Sequence, residues 1–124
     1  GVESANENLL KMYQKDYTLD QVRRSFDVAK RLGIQRMGTF LIGLPEEDES
    51  SIMSTIELMK DLDCDFVSLN VAVPRVNTSL REKALEDNLI GKDFETMDQS
   101  GQTIAMPTKT VSIEQLQKLK RKAL

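Results

Sequence analysis

Apolar residues along this chain change their period several times, and each change marks a new element. Leu9, Leu10 and Met12 recur at helical spacing, which predicts a helix across roughly Glu7 to Tyr13. Thr18-Leu19-Asp20-Gln21 has the spacing of a capping box and opens a helix with Val22, Phe26 and Ala29 on one face. Gly33 supplies the residue that ends it. The β-branched and apolar run over 37–42 predicts a strand. Asp48 then sits where an N-cap belongs, ahead of a helix over 49–62 with Ile52, Ile56, Met59 and Leu62 facing inward. A second strand is expected over 66–73. After Pro74, Asn77 or Thr78 caps a helix to about Asn88, and a polar stretch follows with Gly91 and Gly101. A weak strand over 102–106 and a terminal helix over 113–124, capped by Ser112, complete the pattern.

With a further strand at residues 1–4, strands and helices alternate as in a βαβ repeat, which predicts an α/β fold with parallel strands. Side-chain alternation decides which kind. In Phe66-Val67-Ser68-Leu69-Asn70-Val71-Ala72-Val73 one face is aliphatic, while the other carries Ser68 and Asn70. An open sheet covered by helices on both sides needs both faces apolar. A barrel needs one face for its helices and tolerates polar groups on the face lining the lumen. Glu3, Thr39, Ser68 and Asn70 are therefore assigned to a common lumen face, with Leu41 beside them and Phe40 and Ile42 turned toward the helices. The expected architecture is a partial (β/α) barrel with helices on its outer face. The expected division is residues 1–85 as the barrel segment and 86–124 as a C-terminal extension. The opening Gly-Val-Glu-Ser reads as a strand already in progress, so the chain is expected to be a piece of a longer barrel.

Composition narrows the chemistry by what it lacks. The 124 residues contain no histidine and a single cysteine, Cys64. A zinc site of the usual His/Cys type, a Cys/His nucleophile and a Ser-His-Asp triad are thereby excluded from these residues. A lone thiol forms no internal disulfide and fits a reducing, cytoplasmic setting, and Cys64 itself reads as packing. The net charge of −3 argues against a nucleic-acid surface. The basic end (Lys118, Lys120, Arg121, Lys122) suits a helix C-terminus. No apolar run reaches membrane-spanning length.

The most informative stretch is Thr39-Phe40-Leu41-Ile42-Gly43-Leu44-Pro45-Glu46-Glu47. A buried strand enters a tight turn where Gly43 permits sharp bending or close approach of a ligand. Together with Gly1-Val2-Glu3-Ser4 and the capped helix between, it resembles the second half of a radical S-adenosylmethionine barrel. The resemblance is strongest to the cobalamin-associated branch that includes the anaerobic magnesium-protoporphyrin IX monomethyl ester oxidative cyclase. Coproporphyrinogen dehydrogenase and the methylthiotransferases share the outline.

The resemblance implies a parent oxidoreductase that cleaves S-adenosylmethionine reductively with a [4Fe–4S] cluster, acts on a small-molecule substrate, and has cobalamin in an upstream domain. It implies cofactor contacts at Glu3 near the ribose or amino-acid part, and at Lys15, on a helix, near the carboxylate. Leu41, Gly43 and Glu46 match three positions of the GxIxGxxE motif, whose first glycine is Thr39 here. Ser68, Asn70 and Ala72 follow on the last shared strand, with Ala72 implied as a backbone contact to adenine. Many relatives read GLPGET, so either Glu46 or Glu47 is the counterpart of that glutamate. The CxxxCxxC loop that holds the cluster has no counterpart in these residues, so the chain alone is expected to be inactive. A non-catalytic half-barrel module is the alternative, and a segment of an ordinary (β/α)₈ enzyme a weaker one. Open sheet edges and an unpartnered lumen face imply self-association of the piece on its own.

Overall fold

A computed structural model describes residues 1–98 and 102–124. Its elements run in chain order as α1 (Glu7–Met12), α2 (Leu19–Arg31), β1 (Met37–Ile42), α3 (Glu49–Asp61), β2 (Phe66–Val71), α4 (Ser79–Glu86) and α5 (Ile113–Ala123). Their starts follow the capping chemistry. Thr18, Asp48 and Ser112 each close a capping box with the residue three positions on. Asn6 and Thr78 cap α1 and α4 by accepting backbone N–H groups. Gly33, at φ +69°, carries the chain out of α2 in the left-handed region.

Among the described residues the sheet has two strands, β1 and β2, paired in parallel with Thr39 opposite Ser68 and Leu41 opposite Asn70. This register puts Phe40, Ile42, Leu69 and Val71 on one face, where they enter the main core with Ile52, Ile56 and Met59 of α3. Leu116, Leu119 and Ala123 of α5 join the same cluster. Phe40, Ile42, Ile52 and Leu116 are wholly buried. Amphipathic α2 adds Val22 and Phe26 at the margin.

The expected strand over residues 1–4 contracts to a single bridge between Glu3 and Phe40. The cause is local. Glu3 stands at φ +65°, and the Ser4 amide turns back to donate to the Val2 carbonyl at 2.9 Å. The chain is then drawn toward α3, where the Thr55 hydroxyl accepts from the Ala5 amide at 3.0 Å. A residue in that conformation cannot continue a ladder. No strand forms over 102–106 either. Ile104, Ala105 and Met106 are buried without ladder partners, and the Lys109 amide beyond them donates to the Pro45 carbonyl at 3.0 Å. Gly101 lies outside the described residues. The described residues thus form a mixed α/β structure with a small parallel sheet.

Helices are not confined to one side. A second cluster joins Leu44, Ala72, Ala84 and Met106, with Tyr13, Leu41, Leu80, Leu89 and Ile90 packed on it. Leu41 belongs to the face opposite the main core, so α4 and the segment after it cover the C-terminal end of that face. Its N-terminal end stays open, where Met37 and Phe66 are 59% and 56% exposed.

Because Leu116 is the deepest α5 contact, Leu116→Ala is expected to lower stability by about 2–5 kcal/mol in urea denaturation. Leu124→Ala, at an 80% exposed position, should stay within about 0.5 kcal/mol of wild type. Equal effects would show that α5 does not dock.

Candidate functional site

The turn after β1 is built around a buried carboxylate. Gly43 adopts φ +86°, and a side chain there would press on Val71 Cγ1 at 3.3 Å from its Cβ. The amides of Gly43 and Leu44 both donate to Glu47 Oε2, at 2.7 and 3.0 Å. Glu47 is 1% exposed, and its other carboxylate oxygen has no hydrogen-bond partner among the described residues. Burial pushes its pKa up to about 7 despite the two amides, with Glu46 and Asp48 adding repulsion.

Glu46, one residue earlier, points elsewhere. Its carboxylate accepts from the Tyr13 hydroxyl at 2.8 Å and is ion-paired to Lys83 of α4. Burial alone would raise its pKa, but Lys83 and Tyr13 outweigh that and hold the carboxyl below its usual range. Tyr13 is in turn pushed upward by burial and by the Glu46 carboxylate. The two glutamates left open by the sequence therefore divide the work. Glu47 holds the turn, while Glu46 ties the turn to α1 and α4. The burial of Glu47 had one sequence signal, a carboxylate four residues past a turn glycine. Tyr13 and Lys83 had none.

A cavity of about 290 Å³ opens beside this turn, lined by Glu3, Ser4, Leu9, Leu10, Tyr13, Lys15, Leu41 and Leu44. Its walls are mostly aliphatic, with charge at one place, where Lys15 Nζ stands 3.7 Å from Glu3 Oε1. Lys15 reaches this position from the linker after α1, not from a helix as expected. The left-handed backbone at Glu3 swings its carboxylate to the Thr39 side. A methyl group built on Gly1 would run into that carboxylate and come within 3.2 Å of Thr39 Oγ1.

Of the nine expected cofactor residues, the cavity thus gathers Glu3, Lys15 and Leu41, with Thr39 beside Glu3. Gly43 and Glu46 shape the adjoining turn. Ser68 and Asn70 share the expected face and are half-buried, with Asn70 Nδ2 donating to Ser68 Oγ at 3.3 Å, but they do not line this cavity. Ala72 is packed into the second cluster, and its amide donates to the Ile42 carbonyl at 2.8 Å, so that N–H is already used within the protein. Among the described residues, no group of three or more His, Cys, Asp or Glu is placed to hold a metal ion. Cys64 packs at the margin of the main core, and burial pushes its thiol upward. No described helix is long and apolar enough to cross a membrane.

No protein-family model matches the chain. Curated relatives do. It is 33% identical over 127 residues to an uncharacterized methyltransferase of Pyrococcus horikoshii, covering 99% of this chain and 27% of that protein. It is 28% identical over 99 residues to a protein of Methanocaldococcus jannaschii named as a methylthiotransferase, covering 77% of this chain and 22% of the relative. A tRNA-2-methylthio-N(6)-dimethylallyladenosine synthase of Buchnera aphidicola is 29% identical over 90 residues, with 71% of this chain and 20% of the relative covered. The chain's relatives are therefore enzymes of methyltransferase and methylthiotransferase type. It spans between a fifth and about a quarter of their length.

The Glu47 carboxyl makes stability depend on pH in a defined direction. Its folded pKa of about 7 lies above the ordinary value of 4.5, so the folded state binds the extra proton. That contribution is complete below about pH 4.5 and is lost as pH rises through about 7. Urea unfolding from pH 5 to 8 should show a decline on the order of 2–3 kcal/mol. Glu47→Gln, which keeps an oxygen for the two amides and cannot ionise, should flatten it. An unchanged slope in that variant would place the titrating group elsewhere.

Proposed function

We propose that the parent protein is a radical S-adenosylmethionine enzyme and that this chain forms one wall of its cofactor site. The observation that carries the reading is the cavity at the C-terminal end of β1. A carboxylate and an ammonium stand together at its one charged place, and the aliphatic side chains of Leu9, Leu10, Leu41 and Leu44, with Ser4 and Tyr13, form the rest. S-adenosylmethionine has the complementary construction, with a zwitterionic amino-acid end and a flat, weakly polar adenine. Lys15 would meet its carboxylate, Glu3 its ammonium or ribose hydroxyls, and Leu41 its adenine face. An ammonium gives charge without the paired geometry of a guanidinium, so recognition at Lys15 would be electrostatic more than directional.

The bound cofactor would supply the radical chemistry; this chain's residues orient it and keep water from it. A [4Fe–4S] cluster does not fit the residues present, because one cysteine cannot supply its ligands. Its ligands would come from outside these residues. Between cyclase-like oxidation and transfer of a methyl or methylthio group, the names of the relatives favour transfer. Cobalamin and a tetrapyrrole substrate gain no support from them.

The test has two arms. The chain alone should bind S-adenosylhomocysteine only weakly, with a dissociation constant between about 1 µM and 1 mM. Glu3→Gln combined with Lys15→Gln should weaken it about tenfold or more by calorimetry. The full-length protein, purified anaerobically, should contain iron and sulfide and release 5′-deoxyadenosine on reduction. Full-length protein without iron would refute the radical reading and favour a binding module.

The chain on its own should also self-associate. The outer edge of β2 has no partner among the described residues. Phe66 and Val67, at 56% and 40% exposure, lie on that edge strand. Unpaired edge groups flanked by apolar side chains recruit another strand. Sedimentation equilibrium at tens of micromolar is expected to show a dimer or larger species. Phe66→Lys should shift it toward monomer, and a strict wild-type monomer would rule this out.

A further inference from the structure

Tyr13 stands between two cavities. It lines the 290 Å³ pocket that holds Glu3, Lys15 and Leu41. It also lines a neighbouring cavity of about 350 Å³, formed with Met12, Gln14, Ser79, Leu80 and Lys83. Among the described residues, no other lines both. Its ring is fixed from outside the first pocket, because the hydroxyl donates to Glu46 and Glu46 is anchored by Lys83. Neither Glu46 nor Lys83 lines the 290 Å³ pocket. Lys83 Nζ also lies 4.0 Å from Met12 Sδ, so the anchor closes over the end of α1.

We propose that Tyr13 is the end wall that sets which ligands the pocket admits, and that Glu46 and Lys83 are positioning residues acting through it. The inference rests on the S-adenosylmethionine reading of the pocket and adds a limit to it. An adenosyl ligand must end at the phenol ring, and anything longer requires the ring to leave. Three features make the ring a firm wall. The hydrogen bond joins a neutral donor to an ionised acceptor, which is stronger than a bond between neutral groups. Burial and the neighbouring Glu46 and Glu47 carboxylates keep the phenol protonated, so the donor persists through the neutral range. The apolar side of the ring is packed on the cluster of Leu44, Ala72, Ala84 and Met106.

The experiment is amide shift mapping of the whole chain with S-adenosylhomocysteine as the probe. In the wild type, shifts are expected at Leu9, Leu10, Leu41 and Leu44 and not at Ser79 or Leu80. Tyr13→Ala should join the two cavities, spread the shifts to Ser79 and Leu80, and weaken binding about tenfold. Glu46→Gln should weaken the wild type about threefold and cost nothing further when Tyr13 is already alanine. A wild-type shift pattern and affinity in Tyr13→Ala would overturn the wall. An equal cost of Glu46→Gln in both backgrounds would overturn the positioning role, because Glu46 would then touch the ligand itself.

A ligand-free readout separates this from the cofactor reading. In Tyr17→Phe, with folding checked by circular dichroism, the remaining phenol should resist ionisation well above its ordinary range, and Glu46→Gln should return it toward that range. Ordinary ionisation without the Gln substitution would refute the hold of Glu46 on the ring. Absence of probe binding to the wild type, with the phenol still shifted, would refute the cofactor reading and the wall's selective role while upholding that hold.

Discussion

One carboxylate under one turn holds the end of this molecule where the pocket forms. Glu47 gathers the amides of Gly43 and Leu44 onto a single oxygen, which fixes the left-handed glycine and the direction in which the chain leaves β1. The next residue, Asp48, then begins α3 as its N-cap. On the other side, the Pro45 carbonyl accepts from the Lys109 amide, and the Thr110 hydroxyl lies 3.4 Å from the Glu47 carbonyl as donor. The buried carboxylate thus seats a strand end, a helix start and the approach to α5 together. Two backbone amides offset part of the cost of burying it, but its second oxygen finds no partner among the described residues. Protonation near neutrality relieves what the amides do not.

The two faces of the sheet are held by different means. The main core face is apolar, with Phe40 among aliphatic neighbours and α3 and α5 supplying interlocking Ile, Met and Leu side chains. That is burial of the usual kind, proportional to apolar area. The opposite face is graded along the strands. Leu41 and Ala72 at its C-terminal end are covered by α4 and Met106, Thr39, Ser68 and Asn70 are half-buried in its middle, and Met37 and Phe66 are open at the start. A face with polar groups midway and apolar groups at its base is suited to a lumen, where further strands would bring both ligand contacts and a plug of side chains. With two strands among the described residues, the apolar base stays largely exposed.

How much of this was legible depended on the range of the interaction that decided it. Helix starts at Thr18, Asp48 and Ser112 are set within four residues, and they stand where the capping patterns put them. The alternation of β1 and β2 gave the correct inward faces because the period of a strand leaves no other choice. The strand expected over 1–4 fails for the opposite reason. Its composition suits a strand, but a turn at Ser4 and contacts to Thr55, about fifty residues away in sequence, leave only one bridge. Lys15 stands 3.7 Å from Glu3 on a linker, where a helix is expected from the sequence, since α1 ends at Met12. Tyr13 and Lys83 carried no local signal, because each acquires meaning only when α1 and α4 meet at Glu46.

Adjacent glutamates with opposite fates show how the site divides its charges. Glu46 and Glu47 start from the same intrinsic acidity. Glu46 meets an ammonium and a phenol and stays ionised; Glu47 meets two amides and apolar cover, and its proton is retained toward neutrality. Near neutral pH the turn therefore carries less negative charge than its sequence implies. That matters for the pocket beside it, whose own charged groups are the compensated pair Glu3 and Lys15. Two ionised glutamates would repel the carboxylate end of a zwitterion approaching Lys15. With Glu47 partly protonated and Glu46 balanced by Lys83, the charge nearest the pocket is chiefly that of the Glu3–Lys15 pair, which is what a zwitterionic ligand would meet there.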